Sequence, residues 1–418
     1  MNQAYTPALL AQAFTLPNGV VVKNRLAKSA MSEALGTMDN HVTPALARLY
    51  GRWADGGIGL LITGNVMIDR RALGEPGNVA VEDESDLALL REWAAAGTRN
   101  GTALWMQINH PGKQAPKGFN RETVSPSAVP FSKQLSAFFD TPRALTDAEI
   151  EDLIKRFGNT ARIAKKAGFS GVQIHGAHGY LVSQFLSPLH NVRTDRWGGS
   201  AENRRRFVLE LFAEMRKQVG SDFPIGIKLN SADFQRGGFT EEESLDVIRA
   251  LAAAGIDLIE ISGGTYESPA MAGKQQAGQK ASTRAREAYF LEFAEKARAA
   301  VKTPLMVTGG FRSAEGMNSA LLSGAIDFVG IARALAIEPD APLRLLKGQD
   351  PQFEVRPIKT GIKMVDNMAL MEVAWYSRQL NRLANGKKAR PHESALWSLV
   401  NTLIHNGWGT FKTRRLRA

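Results

Sequence analysis

Eight short apolar runs, separated by helical patterns, predict an α/β fold of the (β/α)8 TIM barrel class. The runs are RLAKSA at 25–30, IGLLIT at 58–63, ALWMQI at 103–108, GVQIH at 171–175, PIGIKL at 224–229, DLIEIS at 257–262, PLMVTG at 304–309 and DFVGIA at 327–332. They are largely apolar throughout instead of strictly alternating, which suits strands buried on both faces. Helical segments between them, such as TDAEIEDLIKRFGNTARIAKKAG, imply parallel crossovers. No GxGxxG follows the first run, so the count of eight favours a closed barrel over a doubly wound sheet.

Two helix starts are explicit, because Thr146 with Glu149 and Thr240 with Glu243 have the spacing of capping boxes. Ahead of the barrel, FTLPNGVVVKNR at 14–25 places Asn18-Gly19 between apolar flanks and predicts a tight hairpin plugging the barrel floor. The Pro-, Gly- and Lys-rich insertion at 110–134 is too long for an ordinary connection and is expected to cap the site. A second basic segment, 264–284, falls on the side where barrel loops gather and is expected to act as a lid.

The pattern changes near residue 345, so residues 1–345 are assigned to the barrel and 346–418 to a C-terminal helical extension. Met364, Met368, Met371, Trp375 and Leu383 recur at near-helical spacing, and Leu396, Leu399, Val400, Leu403 and Ile404 do so in the next segment. Two amphipathic helices docking onto the barrel or onto a partner subunit are expected, which leaves a homo-oligomer open. Contact of the basic aromatic tail, with Trp408, Phe411, Arg414, Arg415 and Arg417, with a membrane surface is the weaker alternative.

Composition limits the chemistry. The chain has 418 residues, 44% of them hydrophobic, no run of about 20 apolar residues and no basic-then-apolar start, so a soluble cytoplasmic protein is expected. It contains no cysteine, which excludes disulfides, thiolate nucleophiles and cysteine-ligated zinc or iron–sulfur clusters. An electron carrier here is therefore organic. With 52 basic against 41 acidic residues the net charge is +11, which favours anionic ligands such as phosphorylated cofactors. Nucleic acid is not an expected partner, because the excess is diffuse and no nucleic-acid motif accompanies it.

The segment HGAHGYL at 175–181 puts His175, His178 and Tyr180 together after an apolar run. Two imidazoles can polarise one ligand oxygen while a phenol delivers a proton; loop polarity or half of a metal site remains the plainer alternative. Other strand ends bring Lys28, Ser29, Ala30, Met31, Ser32, Asn65, Gln107 and Lys228 to the same mouth. Gly309 and Gly310 after the seventh run, and Ala332 with Arg333 after the eighth, have the form of a phosphate grip built from backbone N–H groups and a cation.

KNRLAKSAMS at 23–32, WMQINHPGKQA at 105–115 and HGAHGYLVSQFLSPLHNVRTDRWGGSAENRRRF at 175–207 resemble the Old Yellow Enzyme family of FMN-dependent oxidoreductases, and the likeness extends over about residues 8–340. The resemblance implies tightly bound, noncovalent FMN. Gln107 would contact its pyrimidine edge, Ser29, Ala30, Met31 and Asn65 would border the isoalloxazine, and Gly309, Gly310, Ala332 and Arg333 would hold the phosphate. His175 and His178 would bind the electron-withdrawing group of a small-molecule substrate, with Ser32 also facing it, and Tyr180 would protonate the α-carbon. The run with Arg193, Asp195, Trp197 and Asn203 would shape the loop around them.

Three departures bear on that carry-over. Lys228 stands where many relatives have arginine, Ser32 where one subclass has a redox-tuning cysteine, and the cysteine cluster of the iron–sulfur branch is missing. The implied activity is reduction of the C=C bond of α,β-unsaturated carbonyl or nitro compounds by NADH or NADPH, in ping-pong order. The alternatives are flavin-dependent demethylation or dehydrogenation of a small amine or alcohol, and a flavin protein anchored to a partner or membrane by its C-terminal helices.

Overall fold

The computed structural model describes residues 9–133, 135–265, 290–351, 358–361 and 370–398, together with 353, 355, 400, 401 and 404. All eight predicted runs form strands, and they close in chain order into one parallel barrel. A hairpin of β1 (Phe14–Thr15) and β2 (Val21–Val22) precedes β3 (Leu26–Lys28), β4 (Leu60–Met67) and β5 (Ala103–Asn109). A small parallel pair, β6 (Val124–Ser125) and β7 (Arg143–Ala144), sits in the insertion. The barrel continues through β8 (Gly171–Gly176), β9 (Ile225–Asn230), β10 (Leu258–Ser262), β11 (Leu305–Thr308) and β12 (Phe328–Ile331), which pairs with β3.

The hairpin plugs one end of the barrel as expected. Leu16 and Val22 join Leu60, Ile62, Trp105, Leu258, Met306 and Phe328 in a separate apolar cluster, and Phe14 packs edge-on against Phe328 with centroids 5.1 Å apart. A closed apolar floor leaves polar side chains room only toward the other end. Both capping boxes form, at Thr146 with Glu149 and at Thr240 with Glu243, so each helix meets its orphan N–H groups at its first turn.

One irregularity shapes the polar end. The β4–β5 register slips between Ile62 and Asn65, and the Thr63 hydroxyl accepts the Gln107 N–H at 2.8 Å across the gap. Such a bulge re-aims the residues that follow it, and Asn65 lies on the cavity described below. Glu33 supports the bend: its carboxylate takes the Gly64 N–H at 2.7 Å and the Tyr50 hydroxyl. The fully buried Lys28 donates to Ile62 O at 2.8 Å and lies 4.6 Å over the Trp53 ring. Burial pulls its ammonium down to about 8.

Beyond the barrel, the helix Leu370–Ala384 buries Trp375, Tyr376, Leu380 and Leu383. Arg48 Nε donates to the Ala384 carbonyl at 2.8 Å, and Ser377 Oγ to the Ser32 carbonyl at 2.8 Å, so this helix docks onto the barrel itself. Met364 and Met368 lie outside the described residues, as do Leu399, Leu403 and the tail from 405. In the next helical stretch Leu396, Trp397, Val400 and Ile404 are exposed. Among the described residues no helix is long and apolar enough to cross a membrane.

Candidate active site

The open end of the barrel contains a cavity of about 260 Å³, and twelve of the predicted site residues line it. They are Ala30, Met31, Ser32, Asn65, Gln107, His175, His178, Tyr180, Lys228, Gly309, Ala332 and Arg333. A smaller cavity of about 50 Å³ adjoins it, sharing Thr308, Gly309, Ala332 and Arg333 and adding Gly310 and Arg312. Ser29 is off both walls. Its hydroxyl pairs with the Thr308 hydroxyl at 2.6 Å instead.

The insertion expected to cap the site stands beside the loop after β8, where Gln114 lies against Gly179. No described residue of 110–134 lines either cavity, whereas Glu75, from the loop after β4, and Glu372, Val373, Tyr376 and Ser377, from the C-terminal helix, do. The insertion folds back on itself and on the loop after β8. Lys113 Nζ reaches the Val129 carbonyl at 3.0 Å and His190 Nδ1 at 3.0 Å, and Arg193 donates to the Pro126 and Leu145 carbonyls. The lid expectation for 264–284 falls outside the described residues beyond Thr265.

His175 ends β8, and His178 follows in a left-handed conformation with φ of 61°, so the pair is set by a tight loop and not by a helical turn. The His178 N–H is held by Asn230 Oδ1 at 3.1 Å, which offsets the local strain. The two rings stand edge-on with centroids 5.3 Å apart, and the Tyr180 ring lies 4.7 Å from that of His175. His175 Nδ1 accepts the Ala177 N–H, placing its proton on Nε2. His178 Nε2 is 2.8 Å from Ser262 Oγ; with serine as donor, the proton of His178 sits on Nδ1. Burial, reinforced by the Lys228 charge, holds both imidazoles well below their usual range. They are therefore neutral donors at pH 7, able to grip an anionic or carbonyl oxygen.

A polar chain runs around the wall. Gln107 Nε2 donates to Gln173 Oε1 at 2.8 Å, Gln173 Nε2 to Glu260 at 2.7 Å, and Thr308 Oγ1 to Glu260 at 2.7 Å, while Lys228 Nζ lies 3.0 Å from the same carboxylate. Gln173, Glu260 and Ser262 were not among the predicted residues. Their signal was a polar residue at alternate positions of otherwise apolar strands, GVQIH, GIKLN and LIEIS, each side chain on the inward face.

A flavin mononucleotide fits what is present. The larger cavity offers mixed apolar and amide walls at Ala30, Met31 and Gln107, and a cation at Lys228. The smaller one is bounded by Gly309 and Gly310, with φ of 111° and 97°, and by Arg333. Such a turn beside an arginine is an anion grip. Gly330 keeps the adjoining wall thin, since a Cβ there would meet Thr308 Oγ1 at 2.0 Å. Among the described residues no cluster of three or more His, Asp or Glu could hold a metal.

Comparison with known proteins defines the family. The profile of the NADH:flavin oxidoreductase / NADH oxidase family matches residues 10–352. The chain is 36% identical over 405 residues to the NADH-dependent flavin oxidoreductase iccE of Talaromyces variabilis, covering 90% of this chain and 98% of that one. It is 38% identical to iliE of Hypocrea jecorina over 78% of this chain and 86% of that one. Among solved structures, 2-naphthoyl-CoA reductase superposes with a TM-score of 0.76 at 26% identity, over 90% of this chain and 58% of that one. The old yellow enzyme homologue of Zymomonas mobilis does so with a TM-score of 0.71 at 24% identity, over 83% and 94%. The chain belongs to the Old Yellow Enzyme family of NADH:flavin oxidoreductases, and it is an oxidoreductase.

Proposed function

We propose that this oxidoreductase reduces electron-poor C=C bonds, of α,β-unsaturated carbonyl or nitro compounds, with electrons from NADH or NADPH. The observation that carries the reading is the neutral His175–His178 pair beside Tyr180 on one wall of the cavity. FMN, held by Gln107, Lys228 and the backbone at 30–31 with its phosphate at Gly309, Gly310, Ala332 and Arg333, supplies the hydride carrier. His175 Nε2 and His178 Nδ1 bind the acceptor's oxygen and polarise the conjugated bond. Tyr180 Oη gives its proton to the carbon alpha to that group. Lys228, anchored by Glu260, would place a positive charge beside the bound flavin. Donor and acceptor use the same cavity in turn, which makes the order ping-pong.

Tyr180→Phe separates the half-reactions in stopped flow. Flavin reduction by NADH should keep its rate, and reoxidation by 2-cyclohexenone should slow by about 10²–10⁴-fold. A variant slowed in the reductive half, or unaffected with the enone, would assign Tyr180 a structural place and overturn this mechanism.

A further inference from the structure

Among the described residues four charged side chains line the larger cavity: Glu75, Lys228, Arg333 and Glu372. Three of them are compensated. Lys228 is paired with Glu260 at 3.0 Å, and Arg333 with Glu372 at 2.8 Å. Glu75 has no cation partner among the described residues, and the charge that acts on it is the carboxylate of Glu33. An acid left this way in a protein wall favours its neutral form unless a cation answers its charge.

The hydrogen bonds of Glu75 define which atom is free. The Ser32 hydroxyl and the Asn78 amide, the latter at 3.3 Å, both donate to Oε1. Asn78 Oδ1 in turn accepts the N–H groups of Gly74 and Glu75 at 3.0 and 2.9 Å, so the loop that carries the carboxyl is pinned. Oε2 has no partner among the described residues, and it is not among the buried polar atoms lacking one, so it has access to the cavity. Ser32 and Asn65 belong to β3 and β4 and their loops, whereas His175 lies in β8 and His178 just after it. In the barrel order β3, β4, β5, β8 the His pair is three strands from β3 and two from β4.

We propose that Glu75 is a specificity determinant: its Oε2 binds a protonated amine on the substrate while the His pair holds the oxygen at the other end. This rests on the reading of His175 and His178 given above. The cavity thus selects unsaturated compounds with two polar ends, an electron-withdrawing oxygen and a cation, over apolar ones of equal size. Burial and the Glu33 charge push the Glu75 carboxyl up to about 7. A bound ammonium supplies the opposite charge the site lacks and holds the carboxyl ionised.

The test uses the FMN-loaded protein at pH 8 and pairs of para-substituted phenols of equal length, ω-aminoalkylphenols with one to four methylenes against the matching alkylphenols. The phenol oxygen engages the His pair and the tail differs only in charge. Dissociation constants are read from the flavin spectrum. In the wild type at least one amine should bind more tightly than its alkyl partner. Glu75→Gln, which keeps size and the bonds from Ser32 and Asn78, should reduce that preference by about tenfold. The alkylphenols and FMN itself should bind both proteins alike, which shows that the variant is folded. A ratio unchanged by Glu75→Gln overturns the assignment. If neither phenol series perturbs the flavin, the His-pair reading fails instead, and calorimetric titration of the same two proteins with the aminoalkylphenols still decides Glu75: equal affinities reject it and weaker binding to the variant supports it.

Discussion

Arg333 Nη1 donates to Glu372 Oε2 at 2.8 Å, so the cation that follows β12 is tied to the helix Leu370–Ala384, which itself lines the cavity. A phosphate in the adjoining small cavity has to share this guanidinium with a carboxylate. Arg333→Gln should weaken FMN binding by about 1.5–3 kcal/mol, the worth of a hydrogen bond to a charged group. Glu372→Gln should tighten it by a smaller factor, because the competing negative charge is removed. Titration of FMN into deflavinated protein measures both. Equal affinities in wild type and Arg333→Gln would move the phosphate elsewhere.

The buried pair Lys228–Glu260 predicts strong coupling. Glu260 is fully buried and also receives Gln173 and Thr308, so Lys228→Met removes its direct ion-pair partner and leaves only the more distant Lys28. Breaking a buried pair from one side costs about 3–5 kcal/mol, whereas removing both partners costs far less. Urea unfolding of Lys228→Met should show that loss, and Lys228→Met with Glu260→Gln should recover more than half of it. Additive losses in the double variant would mean the two groups do not depend on each other.

The barrel was legible because its strands are apolar enough to be counted, and the neighbourhood of His175, His178 and Tyr180 because it is contiguous in the chain. What escaped was assembled from distant segments. Glu75 sits in a GEPGN turn that reads as a plain loop, and it enters the cavity only because Asn78 pins that turn. The helix carrying Glu372 and Tyr376 reads as a packing stripe, and sequence spacing does not say which surface it covers. The insertion at 110–134 has the length of a cap, and which loop it meets, the one after β8 through His190 and Arg193, is not written in its spacing. The polar alternation in GVQIH, GIKLN and LIEIS was visible in the letters; period two in a barrel strand assigns those side chains to the interior.

Gly330 tests how tightly the cavity wall is built. A Cβ at this position would meet Thr308 Oγ1 at 2.0 Å, Ser29 Oγ at 2.7 Å and the Val307 carbonyl at 2.9 Å. Gly330→Ala therefore has to part the Ser29–Thr308 hydrogen bond and disturb the Thr308 contact with Glu260. A loss of about 1–3 kcal/mol in stability is expected from such overpacking. FMN affinity should fall as well, because Thr308 and Gly309 border both cavities. Thermal melts of the deflavinated variant check the first effect and FMN titration the second; wild-type behaviour in both would show the wall to be slack.

Acid should destabilise the protein through its buried histidines. His110 is buried with its Nδ1 accepting the Gly112 N–H at 3.0 Å, and burial, aided by the charges of Arg156 and Arg71 against that of Asp69, brings its pKa down to about 4. An unfolded histidine titrates near 6.5, so between those values the unfolded chain binds the extra proton. Stability therefore rises with pH across this window and is lost as pH falls from about 6.5 toward 4. For His110 alone the loss between pH 7 and pH 5 is about 2 kcal/mol. His190, held down to about 3 by burial and the neighbouring Lys113, acts in the same direction. Urea unfolding at pH 7 and pH 5 should show the decline, and His110→Asn, whose side-chain oxygen can still accept the Gly112 N–H, should make it shallower by about that amount. An identical slope in the variant would mean that His110 does not change its protonation on unfolding in this range.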